Sequence, residues 1–387
     1  MKVLQVLDAF YPSVDGPVNV IVNIAQIAQK QNLAEVELLV PKYPEIVELD
    51  GVKVHRCKSI KAADGYRACV PMLDKSVKNL IKNGGWDLIH IHSPFTLGRA
   101  VTKYAKKYNI PTLFTMHTSY KIDFERLLKS SMLQKFMMNY IMKTINGTNY
   151  MSSVSNGSAL MLREYGYKGE NIEVIRNGAD MKPVKIDQTI INDIKNKYGL
   201  ENCFTFLFVG RIVENKNIQF SLKVLKQLKE LGENNFKFLI VGDGAYLDNL
   251  KRIASDYGLD NEIVFVGKVV DREYLSGIYQ VSDLFLFPSV YDTCGIVAIE
   301  AAVNNLASAM IENSCASEVV EHKVNGLSMI EDSDVWASII KEVMNDKKLL
   351  NSMREKARET IYVSWLDVVK KYIDHYDYCI KEYNKKK

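Results

Sequence analysis

LFLFPSVYDTCGIVAIEAAV, residues 284–303, is a segment in which one apolar run ends at a proline and a second begins after a glycine. The first run is typical of a buried parallel strand, and the second of a buried helix. Two acids interrupt this pattern, because Asp292 lies between the runs and Glu300 lies inside the second one. A buried carboxylate without a partner is costly. We therefore expect Glu300 either to bind hydroxyl groups of a ligand or to form a structural ion pair.

The same alternation of apolar runs and longer amphipathic stretches extends along the whole chain. Runs rich in Val, Ile, Leu and Phe form two series, at 3–7, 36–40, 52–55, 88–91, 112–115 and 172–175, and again at 204–211, 236–244, 263–267, 284–289 and 307–311. This rhythm is typical of parallel sheets that are covered by helices on both faces. It predicts an α/β fold of two doubly wound, Rossmann-like domains that face each other across a cleft. The polar stretch 180–202 is interpreted as the linker between them.

The composition is that of a globular protein. The chain has 387 residues, of which 47% are hydrophobic and 25% charged, and no apolar run reaches the roughly 18 residues of a membrane span. The six cysteines are scattered without a CxxC pair, so we expect reduced thiols in the cytoplasm rather than a metal or disulfide framework. The N-terminal apolar run is interpreted as a first strand rather than a signal peptide.

Positive charge is concentrated in the first half of the chain. Residues 1–185 carry 25 basic and 16 acidic residues, whereas residues 186–387 carry 25 basic and 30 acidic residues. A basic N-terminal half suggests an anionic partner. Solvated lysines without a partner are the alternative.

The segment 121–143 joins five cations to several Met, Leu and Phe residues. On a single helix, Leu128, Met132, Phe136 and Met142 would lie close to one face. Such a helix suits the surface of an anionic membrane. Packing within the fold is an equally good interpretation.

Candidate binding residues follow the strands of the first series, where ligands of parallel sheets bind. Gly16 precedes an amphipathic helix, and a glycine there either lets backbone amides approach an anion or forms a plain turn. His90, His92 and His117 lie in or just after two adjacent strands. His117 is the candidate base or ligand, whereas His90, in mid-strand, is expected to be a core histidine. No carboxylate is spaced to complete a metal site with them.

In the second series, the predicted strand FTFLFVG, 204–210, ends at Gly210, and Arg211 and Lys216 flank the start of the next helix. Two cations beside a helix N-terminus suit a diphosphate, although two surface cations are the simpler alternative. Further predicted ligand-binding groups are the backbone amides that open the helix of Glu300, at Gly295, Ile296 and Val297.

Together these features resemble the retaining GT-B glycosyltransferases of family 4 over essentially the whole chain. The marker is that family's Glu-x7-Glu motif, which reads DTCGIVAIE from Asp292 to Glu300. Other family landmarks match in order, as FYPSVDGPV, HIHSPFTLG, TMHTSY, VIRNGAD, FVGRIVENKN, VGDG, SDLFLFPS and VNGL. Within this family, the motifs HIHSPFTLG and TMHTSY are most similar to the corresponding motifs of the bacterial diacylglycerol glucosyltransferases.

The resemblance implies a domain organisation and an activity. An acceptor-binding domain is expected over 1–185, a nucleotide-sugar-binding domain over 186–365, and a C-terminal helix over 366–387 that packs back on the first domain. The implied reaction is retaining transfer of a hexose, from UDP-glucose or a similar donor, to a membrane lipid such as diacylglycerol. A lipid-linked or surface-polysaccharide glycan is the alternative acceptor.

The resemblance also implies which partners the protein has. The nucleotide-sugar is a co-substrate, and no cofactor, metal ion or nucleic acid is implied. The expected location is the cytoplasm, peripherally on the inner face of the cell membrane, with 121–143 as the contact to the anionic surface.

The resemblance assigns a role to each candidate residue. Arg211 and Lys216 would hold the diphosphate and stabilise the leaving group. Glu300 would bind the ribose, Asp292 the donor sugar, and His117 the transferred sugar near the reacting centre. The remaining donor-binding positions are Gly16, Gly210, Gly295, Ile296 and Val297.

Two features depart from the family pattern or compete with it. The first acid of the motif is Asp292, one methylene shorter than the usual Glu, so the donor sugar is left open. The DSD sequence at 332–334 is similar to a metal-binding motif of another glycosyltransferase fold, but its place before an amphipathic helix predicts an N-cap.

Three other classes of protein share parts of the pattern. A nucleotide-sugar epimerase of the same fold is the nearest alternative enzyme. A sugar-binding receptor would not need the two cations, and a dehydrogenase would need a GxGxxG fingerprint, which VGDGA at 241–245 lacks.

Overall fold

The chain forms two compact units. A computed structural model describes residues 1–12, 16–62, 66–179, 181 and 184–386. Unit 1 comprises Met1–Asn177 and Trp365–Lys387, and unit 2 comprises Gly178–Ser364. These divisions lie near residues 185 and 365, where the sequence places the domain boundaries.

Unit 1 is a parallel sheet with helices on its two faces. The strands of this sheet are β1 (Lys2–Val6), β2 (Glu35–Pro41), β3 (Val54–Cys57), β6 (Leu88–Ile91), β7 (Thr112–Met116), β8 (Tyr150–Ser153) and β9 (Glu173–Val174). Strands β4 (Ser59–Lys61) and β5 (Arg67–Cys69) form a separate antiparallel pair. Its first six helices are α1 (Gly16–Lys30), α2 (Lys75–Asn83), α3 (Thr96–Lys107), α4 (Tyr120–Leu127), α5 (Ser131–Ile145) and α6 (Asn156–Glu164). A short 3-10 turn, Pro71–Leu73, precedes α2.

Unit 2 repeats this plan. Its strands are β10 (Phe204–Val209), β11 (Phe236–Val241), β12 (Ile263–Gly267), β13 (Leu284–Phe287), β14 (Ser308–Ile311) and β15 (Gly326–Met329). Its helices are α7 (Gln188–Tyr198), α8 (Ile218–Glu230), α9 (Leu247–Asp256), α10 (Arg272–Val281), α11 (Ile296–Val303), α12 (Ser333–Asn345) and α13 (Lys347–Thr360).

The strand order places a switch point at the centre of each sheet. Unit 1 has the order β3-β2-β1-β6-β7-β8-β9, and unit 2 has the order β12-β11-β10-β13-β14-β15. All neighbouring strands in these two sheets are parallel. The order reverses between β1 and β6 and between β10 and β13. Ligands of open parallel sheets bind at such points, beyond the carboxyl ends of the strands.

The strands are buried because each carries a continuous apolar run. In β10, for example, Phe206 and Phe208 are fully buried and pack in a cluster with Phe285 and Phe287 of β13. Such runs are typical of strands with helices on both faces. The core of each unit therefore lies between its sheet and its helices.

The chain ends in helix α14 (Trp365–Lys385), which belongs to unit 1. It packs on α1 and β6. Its Tyr372 and Tyr376 side chains are fully buried, and they contribute two aromatic rings to the core beside β6.

The structure corrects two interpretations of the sequence. The stretch 180–202, predicted to be a linker, contains α7, which packs on α10 within unit 2. The segment 121–143 is not a single helix, because α4 ends before Ser130, whose side chain caps α5 by accepting a hydrogen bond from the Leu133 amide at 3.4 Å.

The break also changes which apolar residues of this segment are exposed. Leu128 is partly buried against the core, and Met142 is buried. The four residues predicted to share a face therefore do not all face the same way.

The prediction for the DSD sequence at 332–334 is confirmed, because Asp332 caps α12 by accepting hydrogen bonds from the amides of Asp334 and Val335.

Candidate functional site

In unit 2, the loop after β10 carries three of the predicted site residues. Gly210 follows the strand directly and donates its amide hydrogen bond to the Val241 carbonyl at 3.0 Å. Arg211 is exposed beside it. Lys216 closes a 3-10 turn just before α8. The loop therefore carries two cations beyond the carboxyl end of a central strand.

Close contact between two loops requires a glycine at position 242. Gly242 follows β11 with a φ of +142°, and a Cβ there would lie 1.8 Å from the Gly210 carbonyl oxygen. No side chain fits that distance, so only glycine allows the two backbones to approach. This approach fixes the position of the loop that carries Arg211.

The loop after β13 brings the second group of predicted residues to the same switch point. Ser289 donates a hydrogen bond to the Asn215 carbonyl at 3.4 Å, which ties this loop to the turn of Lys216. Gly295 has a φ of +60° and caps α11. Ala298 donates to the Gly295 carbonyl at 2.8 Å. The amides of residues 295–297 precede this bond and have no acceptor within the helix.

Lys216 and Asp292 form an ion pair with each other. The Lys216 Nζ atom lies 2.5 Å from Oδ1 and 2.7 Å from Oδ2 of Asp292. The two side chains are 18% and 23% exposed. The Lys216 Nζ atom also lies 5.4 Å from the centre of the Phe287 ring. The two residues, predicted to bind different parts of the donor, are therefore adjacent.

Glu300 is buried in the second half of α11, and for this residue the sequence suggested either a ligand or a structural partner. Its Oε2 accepts a hydrogen bond from the Tyr279 hydroxyl at 3.3 Å, and its Oε1 lies 3.4 Å from Arg272 Nη1. Burial, and then the nearby Glu300, raise the pKa of Tyr279 well above its usual value, which keeps the hydroxyl a donor. The carboxylate thus has protein partners, and because each of its oxygens can accept more than one hydrogen bond, these partners are compatible with a ligand.

A cavity of about 580 Å³ lies at the carboxyl ends of β10, β11 and β12. That volume is within the range of small-molecule sites. Arg211 and Gly210 line it on one side, and Lys268 and Val269, which follow β12, line it on the other. Lys268 and Val269 were not predicted from the sequence, although their position after a strand of the second series marks them in the same way.

In unit 1, Gly16 and His117 lie at the carboxyl edge of the sheet. Gly16 is the first residue of α1, is exposed, and has open space where a Cβ would lie. His117 directly follows β7 and is 9% exposed. Each is thus next to the switch point of unit 1.

Three histidines form a contiguous row from the core of unit 1 to this edge. His117 Nε2 and His92 Nδ1 are hydrogen bonded at 2.8 Å, with their rings stacked at 5.1 Å. The His92 ring also contacts the His90 ring at 3.8 Å. His90 is satisfied at both nitrogens, by the hydroxyls of Tyr376 at 2.7 Å and Thr115 at 2.6 Å. The prediction that His90 is a core histidine is confirmed.

Burial keeps these histidines neutral. It lowers the pKa of His117 to about 3 and the pKa of both His90 and His92 well below the usual value. A neutral His117 cannot contribute positive charge to a site at neutral pH. It can accept or donate one hydrogen bond per nitrogen.

Asp8 is a residue of this edge that was not predicted from the sequence. Its carboxylate follows β1 and accepts hydrogen bonds from the Ser93 hydroxyl at 2.7 Å and the Leu97 amide at 2.8 Å. It also accepts from the Gly98 amide at 3.3 Å. Asp8 thereby binds the N-terminus of α3 to β1 and holds the loop that contains His92.

Two other kinds of feature bear on metal ions and membranes. Within the described ranges, no group of three or more His, Cys, Asp or Glu side chains is arranged to hold a metal ion. None of the helices in that part of the chain is both long and apolar enough to span a membrane.

The connection between α4 and α5 exposes an apolar patch. We call it the hairpin patch; it consists of Leu127, Met132, Leu133 and Phe136. Met132 is 82% exposed and Phe136 62%. The cations of this segment are also exposed, at Lys121, Arg126, Lys129, Lys135 and Lys143.

Each of the two units matches a known family of proteins. Residues 14–182 match the Glycosyltransferase Family 4 model, and residues 190–360 match the model of Glycosyl transferases group 1. Two relatives, each an alpha-monoglucosyldiacylglycerol synthase, align over nearly the whole chain. The protein from Acholeplasma laidlawii is 26% identical, with 98% of each chain covered. The Streptococcus pneumoniae protein is 23% identical, over 95% of this chain and 86% of its own.

The fold is that of solved glycosyltransferase structures. The Anabaena protein HepE, in complex with UDP and glucose, superposes with a TM-score of 0.76 at 18% identity, over 97% of this chain and 99% of its own. A glycosyltransferase from Rickettsia africae superposes with a TM-score of 0.77 at 20% identity, over 98% of each chain. The prediction of a GT-B fold built from two Rossmann-like domains is confirmed.

Proposed function

Because the chain belongs to the family 4 glycosyltransferases and has their GT-B fold, we propose that it transfers a hexose from a nucleotide-sugar to a membrane lipid. The proposed donor is UDP-glucose or a similar nucleotide-sugar, and the proposed acceptor is diacylglycerol. Transfer retains the anomeric configuration and uses no metal ion or cofactor. The protein would work peripherally at the cytoplasmic face of the cell membrane.

One observation carries the donor half of the proposal. Arg211, Lys216 and the amides at the start of α11 converge on one switch point of the unit 2 sheet. Two cations and a helix N-terminus suit the diphosphate of a nucleotide-sugar. They also suit the charge that develops on the diphosphate as it leaves, and preorganised groups of this kind commonly lower the reaction barrier more than any other catalytic effect. In this role they supply the positive charge for which other enzymes use a metal ion.

The remaining donor contacts are assigned to residues beside these cations. Glu300, with its long contacts to Tyr279 and Arg272, is assigned to the paired hydroxyls of a ribose, since a carboxylate can accept from both hydroxyls. Asp292 is assigned to the hydroxyls of the donor sugar. In that case the distance between Lys216 and Asp292 has to increase when Lys216 binds the diphosphate.

Unit 1 is assigned the acceptor and the approach to the transferred sugar. Gly16 has no side chain to keep a phosphate oxygen from its backbone, and neutral His117 is suited to hydrogen bonding with a sugar hydroxyl. The two relatives are alpha-monoglucosyldiacylglycerol synthases, and their product consists of a glucosyl group on diacylglycerol. The hairpin patch and its surrounding cations support a lipid acceptor here, because a bilayer satisfies both exposed apolar and positively charged groups.

The test is a matrix of donors and acceptors. Radiolabelled UDP-glucose, UDP-galactose and GDP-mannose are each incubated with the protein and with diacylglycerol in detergent micelles. A second set of reactions contains a polyprenyl-diphosphate-linked sugar, and a third contains no acceptor. We expect label to enter the organic phase as a glycolipid only with diacylglycerol, and mainly from one donor.

Each other outcome identifies a different function. Transfer only to the polyprenyl-linked sugar would replace diacylglycerol with a lipid-linked glycan acceptor. Conversion of the donor to a second nucleotide-sugar without any acceptor would identify an epimerase. Donor binding without any turnover would favour a receptor.

A further inference from the structure

Helix α10 has one face toward the cavity at the carboxyl ends of β10, β11 and β12. Leu275, in the first half of the helix, is one of the residues that line this cavity. Arg272 precedes it by three positions and Tyr279 follows it by four, a spacing that places all three on one face of a helix. Lys268 and Val269, which also line the cavity, lie just before the helix. The face of α10 toward the cavity is thus defined by Arg272, Leu275 and Tyr279.

From this face, Tyr279 and Arg272 contact the Glu300 carboxylate, one at each oxygen. The Tyr279 hydroxyl donates to Oε2 at 3.3 Å, and Arg272 Nη1 lies 3.4 Å from Oε1. Neither contact uses the whole accepting capacity of its oxygen, since a carboxylate oxygen has two lone pairs. Contacts at both oxygens restrict the rotation of the carboxylate more than either contact would alone.

Tyr279 is the rigid partner of Glu300. Its side chain is fully buried, and its ring packs on the Phe285 ring of β13 with the ring centres 5.9 Å apart. The core therefore determines where the hydroxyl lies. Burial raises the pKa of Tyr279 well above its usual value, so the hydroxyl keeps the proton that it donates to Glu300.

Arg272 is the partner that faces solvent. Its side chain is 58% exposed, whereas the side chain of Glu300 is 11% exposed. An exposed cation holds a carboxylate only weakly, because water screens the two charges. We therefore expect Tyr279 to contribute more than Arg272 to the orientation of the carboxylate.

The backbone of Glu300 is held by the same helix as its side chain. Gln280, next to Tyr279, donates through Nε2 to Asn304 Oδ1 at 3.2 Å. Asn304 in turn donates through Nδ2 to the Glu300 backbone carbonyl at 2.9 Å. A ligand-binding side chain keeps its geometry when neighbouring residues fix it in this way.

We propose that Tyr279 is a positioning residue, which holds the Glu300 carboxylate in the orientation that accepts hydrogen bonds from both hydroxyls of a ribose, with Arg272 in support. The inference rests on the proposed nucleotide-sugar donor and goes beyond it, because it identifies what makes the site select a ribonucleotide over a deoxyribonucleotide. A fixed carboxylate can meet two adjacent hydroxyls with no further ordering. A carboxylate that rotates freely has to be ordered on binding, which lowers the affinity.

A purely structural role for Tyr279 is the alternative. A buried carboxylate needs hydrogen-bond partners whether or not a ligand is bound. The positioning role is favoured because both partners of Glu300 lie on the helix face that lines the cavity. The two roles differ in how a variant binds nucleotides with and without ribose hydroxyls.

Titration calorimetry with three nucleotides measures the positioning role. UDP has both ribose hydroxyls, 2′-deoxy-UDP has one, and 2′,3′-dideoxy-UDP has none. The wild type should bind UDP roughly tenfold more tightly than 2′-deoxy-UDP, as for a lost hydrogen bond to a charged group. Tyr279→Phe should bind UDP roughly fivefold more weakly, which lowers that ratio to about twofold. Its Kd for 2′,3′-dideoxy-UDP should equal that of the wild type.

Tyr274→Phe is the matched control. Tyr274 lies on the same helix, and its hydroxyl also donates a hydrogen bond at 3.3 Å, in this case to the Tyr198 hydroxyl. The control should bind all three nucleotides like the wild type. If Tyr279→Phe weakens the binding of all three by the same factor, or of none, Tyr279 only supports the fold and the proposal is wrong.

A double-mutant cycle shows whether Tyr279 acts through Glu300. In a Glu300→Gln background, Tyr279→Phe should change the Kd of UDP by less than about twofold. Equal effects in the two backgrounds would overturn the proposal. Arg272→Gln changes an exposed site, so it keeps the test open if Tyr279→Phe does not fold. It should weaken UDP binding by up to roughly threefold and leave 2′,3′-dideoxy-UDP binding unchanged, and an equal loss for both nucleotides would count against the proposal.

These measurements separate the positioning role from the proposed function. If the transfer assay selects GDP-mannose, the corresponding guanosine nucleotides replace the uridine nucleotides. If the wild type transfers sugar to a lipid but binds UDP and 2′-deoxy-UDP equally, the positioning proposal fails and the proposed function stands. If Tyr279→Phe loses the selectivity for UDP but the wild type glycosylates no lipid, the positioning proposal stands and the proposed acceptor is wrong.

Discussion

Replacing Asp292 with asparagine tests the contact between Lys216 and Asp292 at the donor site. Both carboxylate oxygens lie within 2.7 Å of the lysine nitrogen, and both side chains are about a fifth exposed. An ion pair that retains this much solvent contact is worth about 1 kcal/mol. If Lys216 has to leave Asp292 to bind a diphosphate, Asp292→Asn removes the competitor and should tighten UDP binding by up to roughly fivefold.

The same substitution should slow sugar transfer. A hydrogen bond from a sugar hydroxyl to a carboxylate is worth roughly 1.5–3 kcal/mol, so the loss of this charge should lower kcat/KM by roughly ten- to a hundredfold. The two effects have opposite directions, which a loss of folding would not produce.

The assay combines titration calorimetry with UDP and initial-rate kinetics of transfer. Asp260→Asn, an exposed acid of unit 2, is the control and should change neither quantity. A double-mutant cycle with Lys216→Met isolates the energy of the pair. If Asp292→Asn weakens UDP binding and transfer by the same factor, Asp292 only supports the fold of the loop, and the reasoning is wrong.

The geometry supports four further predictions. Arg211→Ala should lower turnover by roughly two to three powers of ten, as for a lost transition-state donor, whereas Arg252→Ala on the surface of α9 should not. Transfer should continue in EDTA, because the two cations replace a metal ion. Burial depresses the pKa of His90, His92 and His117, so the unfolded chain binds more protons than the folded one below about pH 6.5. Acidification from about pH 7 to about pH 5 should therefore lower the free energy of unfolding in urea by up to about 2 kcal/mol per histidine. His92→Asn, which can still hydrogen bond to His117 Nε2, should keep more of kcat than His92→Leu, with UDP affinity unchanged in both.

Different results would count against each of these expectations. Near wild-type turnover in Arg211→Ala would remove that residue from the mechanism. Loss of transfer in EDTA that Mg²⁺ or Mn²⁺ restores would show a metal-dependent reaction. Equal stability at the two pH values would mean that the histidines are not held neutral by burial. If His92→Asn and His92→Leu lose the same activity, the contact with His117 does not position it for the reaction.

The strands and the residues that follow them were predictable because they depend on local signals. A continuous apolar run marks a strand with helices on both faces, and the carboxyl edge of a parallel sheet is where ligands bind. Together these signals locate Arg211, Lys216 and the segment from Asp292 to Glu300 near one another. The reversal of strand order between β10 and β13 then places them at a single switch point.

Elements that depend on tertiary partners were not predictable. Strand β8 has the sequence YMSS, which is not an apolar run. It can nevertheless be buried, because the Ser152 and Ser153 hydroxyls form hydrogen bonds inside the fold with Thr115 and Ser158. The break between α4 and α5 depends on the cap at Ser130. The Lys216–Asp292 ion pair also depends on the tertiary fold, since its two residues are 76 positions apart along the chain.

Retaining transfer of glucose to a lipid is tested most directly by the structure of the product from one reaction. Carbon-13-labelled UDP-glucose and diacylglycerol in micelles are incubated with the protein in EDTA, and the products are analysed by NMR. We predict one glucosyl diacylglycerol with the α configuration of the donor and one equivalent of UDP. A β-linked product would contradict retention, and free glucose or an epimerised nucleotide-sugar without glycolipid would contradict transfer to a lipid.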